Sequence, residues 1–528
     1  MGSSDQVYLR SNAIIEPLVD RFFAWMHIVA PVQASMNLMN VQVPLLESYL
    51  HSPQIHVAAS NNPAMRGGYF VNVPEERSNE IADLLDTIKR DRAEMLAFAA
   101  GIAEAEEILK QDATGFDLTP LYPRLPQVLN GLVELAYDTS NQPSMHFIEP
   151  LLYHSPIFDR RRQSVQLSLD TGVERPFILS TPRLPGPDVL ELPIALDHPG
   201  LDTLFRARIA PAARGELHDA LGLDAAQALQ LDRLLTDAPS VAPDRHIEGG
   251  GRIRYFGHAC LVLQTAEGSV VTDPFISTDN RHGDRFTLDD LPDRIDLVLI
   301  THGHQDHIVL ETLLQLRSRI GAVVTPRSSR GNTADPSIGL YLKALGFNVI
   351  EVDDFDEVPF PGGKVIATPF LGEHSDLDIR AKSTFFVQLS GKTVFVGADS
   401  SGIDPVLYRY MREHLGDVQI AFLGMECDGA PLTWLYKGLL TRPVTKKMSD
   451  SRKLSGSNAK QAADIMEELR ADEAYIYAMG EESWQGHVMA TTYDEDTYQI
   501  KQIEEFVGWC AERNIPAEHL FNKREWRW

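Results

Sequence analysis

The chain has 528 residues, 44% hydrophobic and 23% charged, enough to bury more core than one ordinary domain holds, so roughly two to four domains are expected. Its 48 Lys and Arg stand against 74 Asp and Glu, a formal net charge of −26, which excludes nucleic acid and anionic membrane as general partners. Three cysteines, Cys260, Cys427 and Cys510, are odd in number and far apart, so neither a disulfide framework nor a Cys-type zinc site is indicated, and a reducing, cytoplasmic setting is expected.

Charged residues Asp5, Arg10, Glu16, Asp20 and Arg21 interrupt the N-terminal segment where a secretory signal needs an apolar run. No later window reaches the roughly 20 apolar residues that span a bilayer. Residues 77–111 read as one long amphipathic helix, with Ile81, Leu84, Leu85, Ile88, Met95, Leu96, Phe98, Ile102 and Ile108 near helical spacing. A shorter helix is expected over LPQVLNGLVELAYD (125–138), and strands over QSVQLSLD (163–170) and DVLELPIAL (188–196). This gives a mainly helical α+β domain over residues 1–245, suited to dimerisation or partner binding. The Pro-, Gly- and Asp-rich stretch 236–251 marks its end.

Residues 246–528 change character. Short apolar runs follow at close spacing: RIRYFGHACLVLQT, GSVVTDPF, DLVLITH, GAVVTP, KVIATPF, STFFVQL and KTVFVGAD. Helical segments follow several of them, an α/β plan of buried strands covered by helices. DLVLI ends in Thr301 and His302, VVT in Asp273, VIATPF leads to Glu373 and His374, and TVFVG ends in Ala398 and Asp399. Ligands of α/β sheets bind outside the carboxyl ends of strands, so these groups are expected to converge. His302 and His304 lie two apart and project to one side, with Asp306 and His307 at the start of a helix over HIVLETLLQL. Neutral imidazoles with carboxylates are a transition-metal ligand set. On extended chain Glu373 and His374 would face opposite ways, one a ligand and the other its support; which is which stays open on spacing alone.

The spacing of THGHQDH, with Asp273 and Asp399, resembles the metallo-β-lactamase fold, which implies an αββα sandwich with a two-metal site at one edge. Together with GEHSDL, GADSSG, a late MGEESWQGHVMA and a large N-terminal domain, it resembles the diiron β-hydroxylases of nonribosomal peptide pathways. That resemblance implies His302, His304 and Glu373 on one iron, Asp306, His307 and His487 on the other, and Asp399 bridging, with Glu373 and Asp399 also serving catalysis. It further implies two Fe ions, O2 as co-substrate, an external electron donor such as a reductase, and an amino acid held as a thioester on a peptidyl carrier domain. A homodimer is expected. Three carboxylates beside four imidazoles suit iron in higher oxidation states, whereas hydrolysis needs only Lewis acidity. The alternative is a dizinc hydrolase of a lactone, thioester or phosphodiester with His374 as ligand; a scaffold that has lost its chemistry would have lost ligands.

Several residues carry weaker expectations. His258 is either a support for a ligand or a satisfied strand histidine, and Trp484 and Met479 line a substrate channel or the core. Cys260 and Cys427 read as small buried hydrophobes. Glu426 reaches the site or faces solvent. Residues 437–460 carry Lys437, Arg442, Lys446, Lys447, Arg452, Lys453 and Lys460 against Asp450, about +6 in a chain of −26, either a solvated loop or a dock for an acidic partner.

Overall fold

The computed structural model describes residues 6–172, 175, 177–239, 244–278, 284–489 and 492–528; Asp5, residues 240–243 of the expected linker and Ala490 lie outside them. The apolar runs of the second half form two seven-stranded sheets. One is ordered Val349–Val352, Ile320–Pro326, Ile295–Leu299, Ser269–Thr272, Leu261–Gln264, Arg252–Tyr255, Arg524–Arg527. The other is ordered Glu357–Phe360, Gly363–Thr368, Thr384–Leu389, Lys392–Val396, Ile420–Gly424, Glu473–Tyr477, Ala517–His519. Four neighbouring strands of each sheet are parallel, from Ser269–Thr272 to Val349–Val352 and from Lys392–Val396 to Ala517–His519.

The inner strands of both sheets are buried on both faces, which is why they read as continuous apolar runs. Leu261, Leu263, Leu297 and Leu299 point between the sheets and meet Val365, Phe385, Val387 and Val394. Val262 and Val298 point the other way, into a core shared with the N-terminal half. Phe386, Phe395 and Ala421 face outward under helices Val406–Leu415, Ala459–Leu469 and Tyr498–Glu512. This period-2 division of side chains gives the αββα sandwich.

In the N-terminal half, the expected strands appear as Gln163–Leu169 and Leu190–Leu192, paired with Ala13–Val19 in a four-stranded sheet. Two expectations fail. The helix over 77–111 is two, Ser78–Asp91 and Ala93–Asp112, broken at Arg92, whose side chain turns inward to Asp20 (Nε to Oδ2, 2.8 Å). Burying that ion pair takes precedence over helix continuity. The segment 125–138 is a single 3-10 turn, Gln127–Leu129, then strand Val133–Tyr137. Gly131 at φ +76° ends any helix, and beyond it buried Val133 and Leu135 alternate with exposed Glu134, a period of two.

The two halves share a single apolar core, in which Leu85, Phe98 and Leu204 belong with Val262, Val298, Leu313 and Tyr341. No helix among the described residues is long and apolar enough to cross a membrane.

Candidate metal centre

The site is built where strands stop. After Ile295–Leu299 the chain enters a turn in which the amides of His307 and Ile308 both bond the carbonyl of His304 (3.2 and 3.0 Å). The helix that follows is Leu310–Leu316, not HIVLETLLQL, so Asp306 and His307 sit in the turn before it. A turn lets four successive polar residues aim at two places, which a regular helix would not. His258 follows Arg252–Tyr255, Asp273 follows Ser269–Thr272, Glu373 follows Gly363–Thr368 and Asp399 follows Lys392–Val396.

Left-handed backbone is concentrated at these strand ends: φ is +51° at His258, +31° at Asp273, +66° at Glu373 and +43° at Ala398. Non-glycine residues there cost of order 1–3 kcal/mol each and persist only where the surroundings hold them. At Glu373 the turn also overturns the extended-chain premise. Gly372, Glu373, Ser375 and Asp376 all have positive φ, so Glu373 and His374 face the same group and do not point apart.

Three groups of ligand-type atoms result: His302, His304, Glu373 and His374; His258, Asp306 and His307; and His302, His307 and Asp399, which ties the first two together. His304 Nδ1 lies 2.9 Å from Glu373 Oε1, His307 Nε2 3.0 Å from Asp399 Oδ2 and 3.6 Å from Asp306 Oδ2, and His302 Nε2 3.7 Å from Asp399 Oδ2. His258 Nε2 is 3.1 Å from Asp306 Oδ2. Buried polar groups are normally hydrogen-bonded, yet His302 Nε2, His307 Nε2, His374 Nε2, Glu373 Oε2 and Asp399 Oδ1 are buried without a hydrogen bond. Such a convergence of unpaired nitrogen and carboxylate donors fits metal ions, and the carboxylates among them fit iron.

The far side of each ring fixes its tautomer. Asp273 accepts from the Thr301 amide (2.8 Å) and hydroxyl (2.6 Å) and from His307 Nδ1 (2.9 Å). The Thr301 hydroxyl, its proton committed to Asp273, accepts from His302 Nδ1 at 3.0 Å. His304 Nε2 bonds the Tyr436 hydroxyl at 2.9 Å. The atoms left facing the centre are His302 Nε2, His304 Nδ1 and His307 Nε2. Burial works against a charged His307, but Asp399, Asp306 and Asp273 outweigh it and raise its pKa well above the usual range. Burial likewise opposes ionised Glu373, yet His304 and His374 hold its carboxyl well below the carboxylate range. Bound metal would take the place of the imidazolium proton.

His487 lies outside the three groups. It is on helix Gly486–Met489, with Nδ1 2.9 Å from the Trp484 carbonyl and Nε2 3.2 Å from Arg175 Nη2. Nε2 also lies 3.5 Å from Glu311 Oε2, and burial, with Arg175 alongside, lowers the His487 pKa against the pull of Glu311. Arg175 also spans Glu16 (2.9 Å) and Glu311 (3.1 Å). The Phe275 ring lies near both histidines, 5.6 Å from that of His487 and 6.4 Å from that of His258.

A cavity of about 320 Å³ lies between the two halves and reaches the 302–307 turn at Gln305. Trp25, Tyr69, Phe177, Phe275 and Trp484 give it aromatic walls, and Gln305, Arg175, Glu311 and His487 add polar ones. Met479 instead belongs to the outer core, while Glu426 is half-buried and accepts from Gln499 at 2.8 Å; desolvation pushes its carboxyl up to about 7. Sequence reasoning missed Tyr436, Arg175 and Trp25, which come from distant segments and carry no local motif. Gly303, between two of the histidines, lies against Met26, whose Cε would have to shift to admit a Cβ there.

An αββα sandwich with paired histidine and carboxylate groups at its strand ends defines a metallo-β-lactamase-fold metalloprotein, and a beta-lactamase superfamily domain matches residues 252–397. Residues 8–239 match the diiron non-heme beta-hydroxylase N-terminal domain. The chain is 36% identical over 530 residues, 98% of its own length and 99% of the other's, to a Streptomyces venezuelae 3-hydroxylase of 4-amino-L-phenylalanyl on the CmlP peptidyl carrier protein. It superposes on the crystal structure of CmlA, a diiron beta-hydroxylase from Streptomyces venezuelae, with a TM-score of 0.91, 34% identity and full coverage of both chains. A shorter likeness, 26% over 157 residues, links 28% of the chain to 63% of a metal-dependent hydrolase of Opitutus terrae. The chain therefore belongs to the diiron non-heme β-hydroxylases.

Proposed function

We propose that the enzyme hydroxylates the β-carbon of an amino acid tethered as a thioester to a peptidyl carrier domain of a nonribosomal peptide synthetase, using O2 and electrons from a separate reductase. The observation that carries this reading is the joint presence of the linked His/carboxylate groups and whole-length likeness to a hydroxylase of a carrier-borne amino acid. His302, His304 and Glu373 are proposed on one iron and Asp306 and His307 on the other, with Asp399 between. His487 is the proposed remaining ligand of the second iron, and its Nε2 would have to leave Arg175 and Glu311. A cytoplasmic enzyme, two domains meeting near residue 245 and a homodimer complete the proposal.

Two irons bound there supply the oxygen chemistry, which belongs to the metal and not to the side chains. The protein's own contribution is orientation. Asp273, Thr301 and Tyr436 hold the three rings of the 302–307 turn in ligand tautomers. A tethered substrate in the cavity would lie against its aromatic walls and Gln305, and misplacement of its β-carbon costs rate steeply. Incubating the reduced, iron-loaded enzyme with an aminoacyl carrier under labelled O2 is expected to put one labelled oxygen on the β-carbon. Label from solvent water, or loss of the aminoacyl group, would place the reaction with the hydrolases.

A further inference from the structure

The mouth of the cavity carries a positive lobe. Arg66 to Tyr69 line one side of the cavity, and Trp434 and buried Leu435, on helix Leu432–Tyr436, line another. The Tyr69 hydroxyl bonds the Trp434 carbonyl at 2.9 Å, and Lys437 Nζ lies 5.5 Å from the Tyr69 ring, which closes the rim. Behind this helix packs a second one, Lys446–Ser451, joined to it by Ser449 Oγ and Thr433 Oγ1 (2.8 Å) and by the Leu432 amide on the Arg452 carbonyl (2.9 Å).

The basic segment therefore splits into two sets. Arg452 and Lys453 turn inward, Arg452 Nε to the Ser375 carbonyl at 2.8 Å and Lys453 onto Asp428. Lys437, Arg442, Lys446 and Lys447 are exposed, with Met448 among them at 48% exposure. Lys446 is 92% exposed and reaches Asp450 only at 4.0 Å. A chain of −26 that concentrates exposed cations and an exposed apolar side chain beside an aromatic-walled cavity has a surface matched to an acidic partner.

We propose that the lobe formed by Lys437, Arg442, Lys446 and Lys447 docks the carrier domain through its acidic face, beside the rim of the cavity that the Tyr69–Trp434 bond closes. This rests on the proposed function for the identity of the partner. Charges of this kind set encounter rate and are screened beyond about 8 Å at physiological salt. Arg452 and Lys453 take no part.

The test measures binding and chemistry separately. Calorimetric titration of the full iron-loaded enzyme with the aminoacyl carrier domain at low salt is expected to give a Kd at least about tenfold weaker for the double variant K446E/K447E, and a smaller difference at high salt. R442E, alone, is expected to weaken binding in the same direction. Hydroxylation of an aminoacyl thioester of free pantetheine, which has the arm and no carrier, is expected to be unchanged in both variants, showing that they fold. An unchanged Kd for the carrier overturns the dock. Failure of the unaltered enzyme to hydroxylate either substrate counts against the proposed function, while the titration still decides the dock.

Discussion

Asp273 belongs to none of the three ligand groups, yet it orders two of the rings within them. It accepts from Thr301 twice and from His307, and through the Thr301 hydroxyl it sets His302 as well. Removing such a support commonly costs 10- to 100-fold in metal affinity. Asp273→Ala is expected to keep the fold and fall in iron content on dialysis by roughly that factor in affinity; full retention of iron would show that the rings are held by packing alone. Glu373 and His374 divide differently. Glu373→Ala is expected to lose iron and hydroxylation together, because a carboxylate is removed from the set, whereas His374→Ala retains most of its iron. The reverse outcome would make His374 the ligand. Asp273 and Glu373 were both legible in the sequence as strand-end acids. That Glu373 and His374 share one side was not, because it depends on left-handed backbone that spacing does not reveal.

Among elements, the short helix Glu149–Leu152 carries a buried acid whose carboxylate accepts from the Ser337 amide at 3.1 Å. Burial pushes its pKa up from 4.5 to about 7, against the opposing Ser337 bond. A raised folded pKa means that its protonated form stabilises the fold. That contribution is complete below about 4.5 and is lost as pH rises through about 7. Glu149→Gln, which cannot ionise, is expected to gain on the wild type between pH 5 and pH 8 by an amount of order 1–3 kcal/mol. Urea unfolding at the two pH values measures it, and a difference that does not change with pH would sink the idea. The inner strands of the sandwich were readable because they bury both faces, as Leu261–Gln264 and Ile420–Gly424 do. The segment 125–138 was not, because Leu125, Leu129 and Val133 satisfy a helical spacing that Gly131 interrupts.

For the whole molecule, the stretch near residue 245 separates two sequence patterns, but one large apolar core runs across it. Val262, Val298, Leu310 and Leu313 pack with residues of the N-terminal half. Residues 246–528 produced alone would expose that face, and apolar exposure costs about 25 cal/mol per Å². The fragment is expected to lack a cooperative thermal transition and to fail to hold iron, while the full chain unfolds in one transition. A fragment that melts cooperatively with its iron in place would show that the N-terminal half serves only the substrate cavity.

The sequence by itself determined the chemistry of the centre. His302, His304, Asp306 and His307 lie within six positions, so their encounter needs only a turn, and strands buried on two faces announce the sandwich that carries them. Tertiary structure alone decided where His487 rests, that Tyr436 supports His304, and that Trp25, Tyr69 and Arg175 from the N-terminal half wall the cavity. The physical reason is distance along the chain. Local spacing constrains neighbours through backbone geometry, whereas His304 and Tyr436 lie 132 residues apart and meet only when the apolar core between the halves has closed.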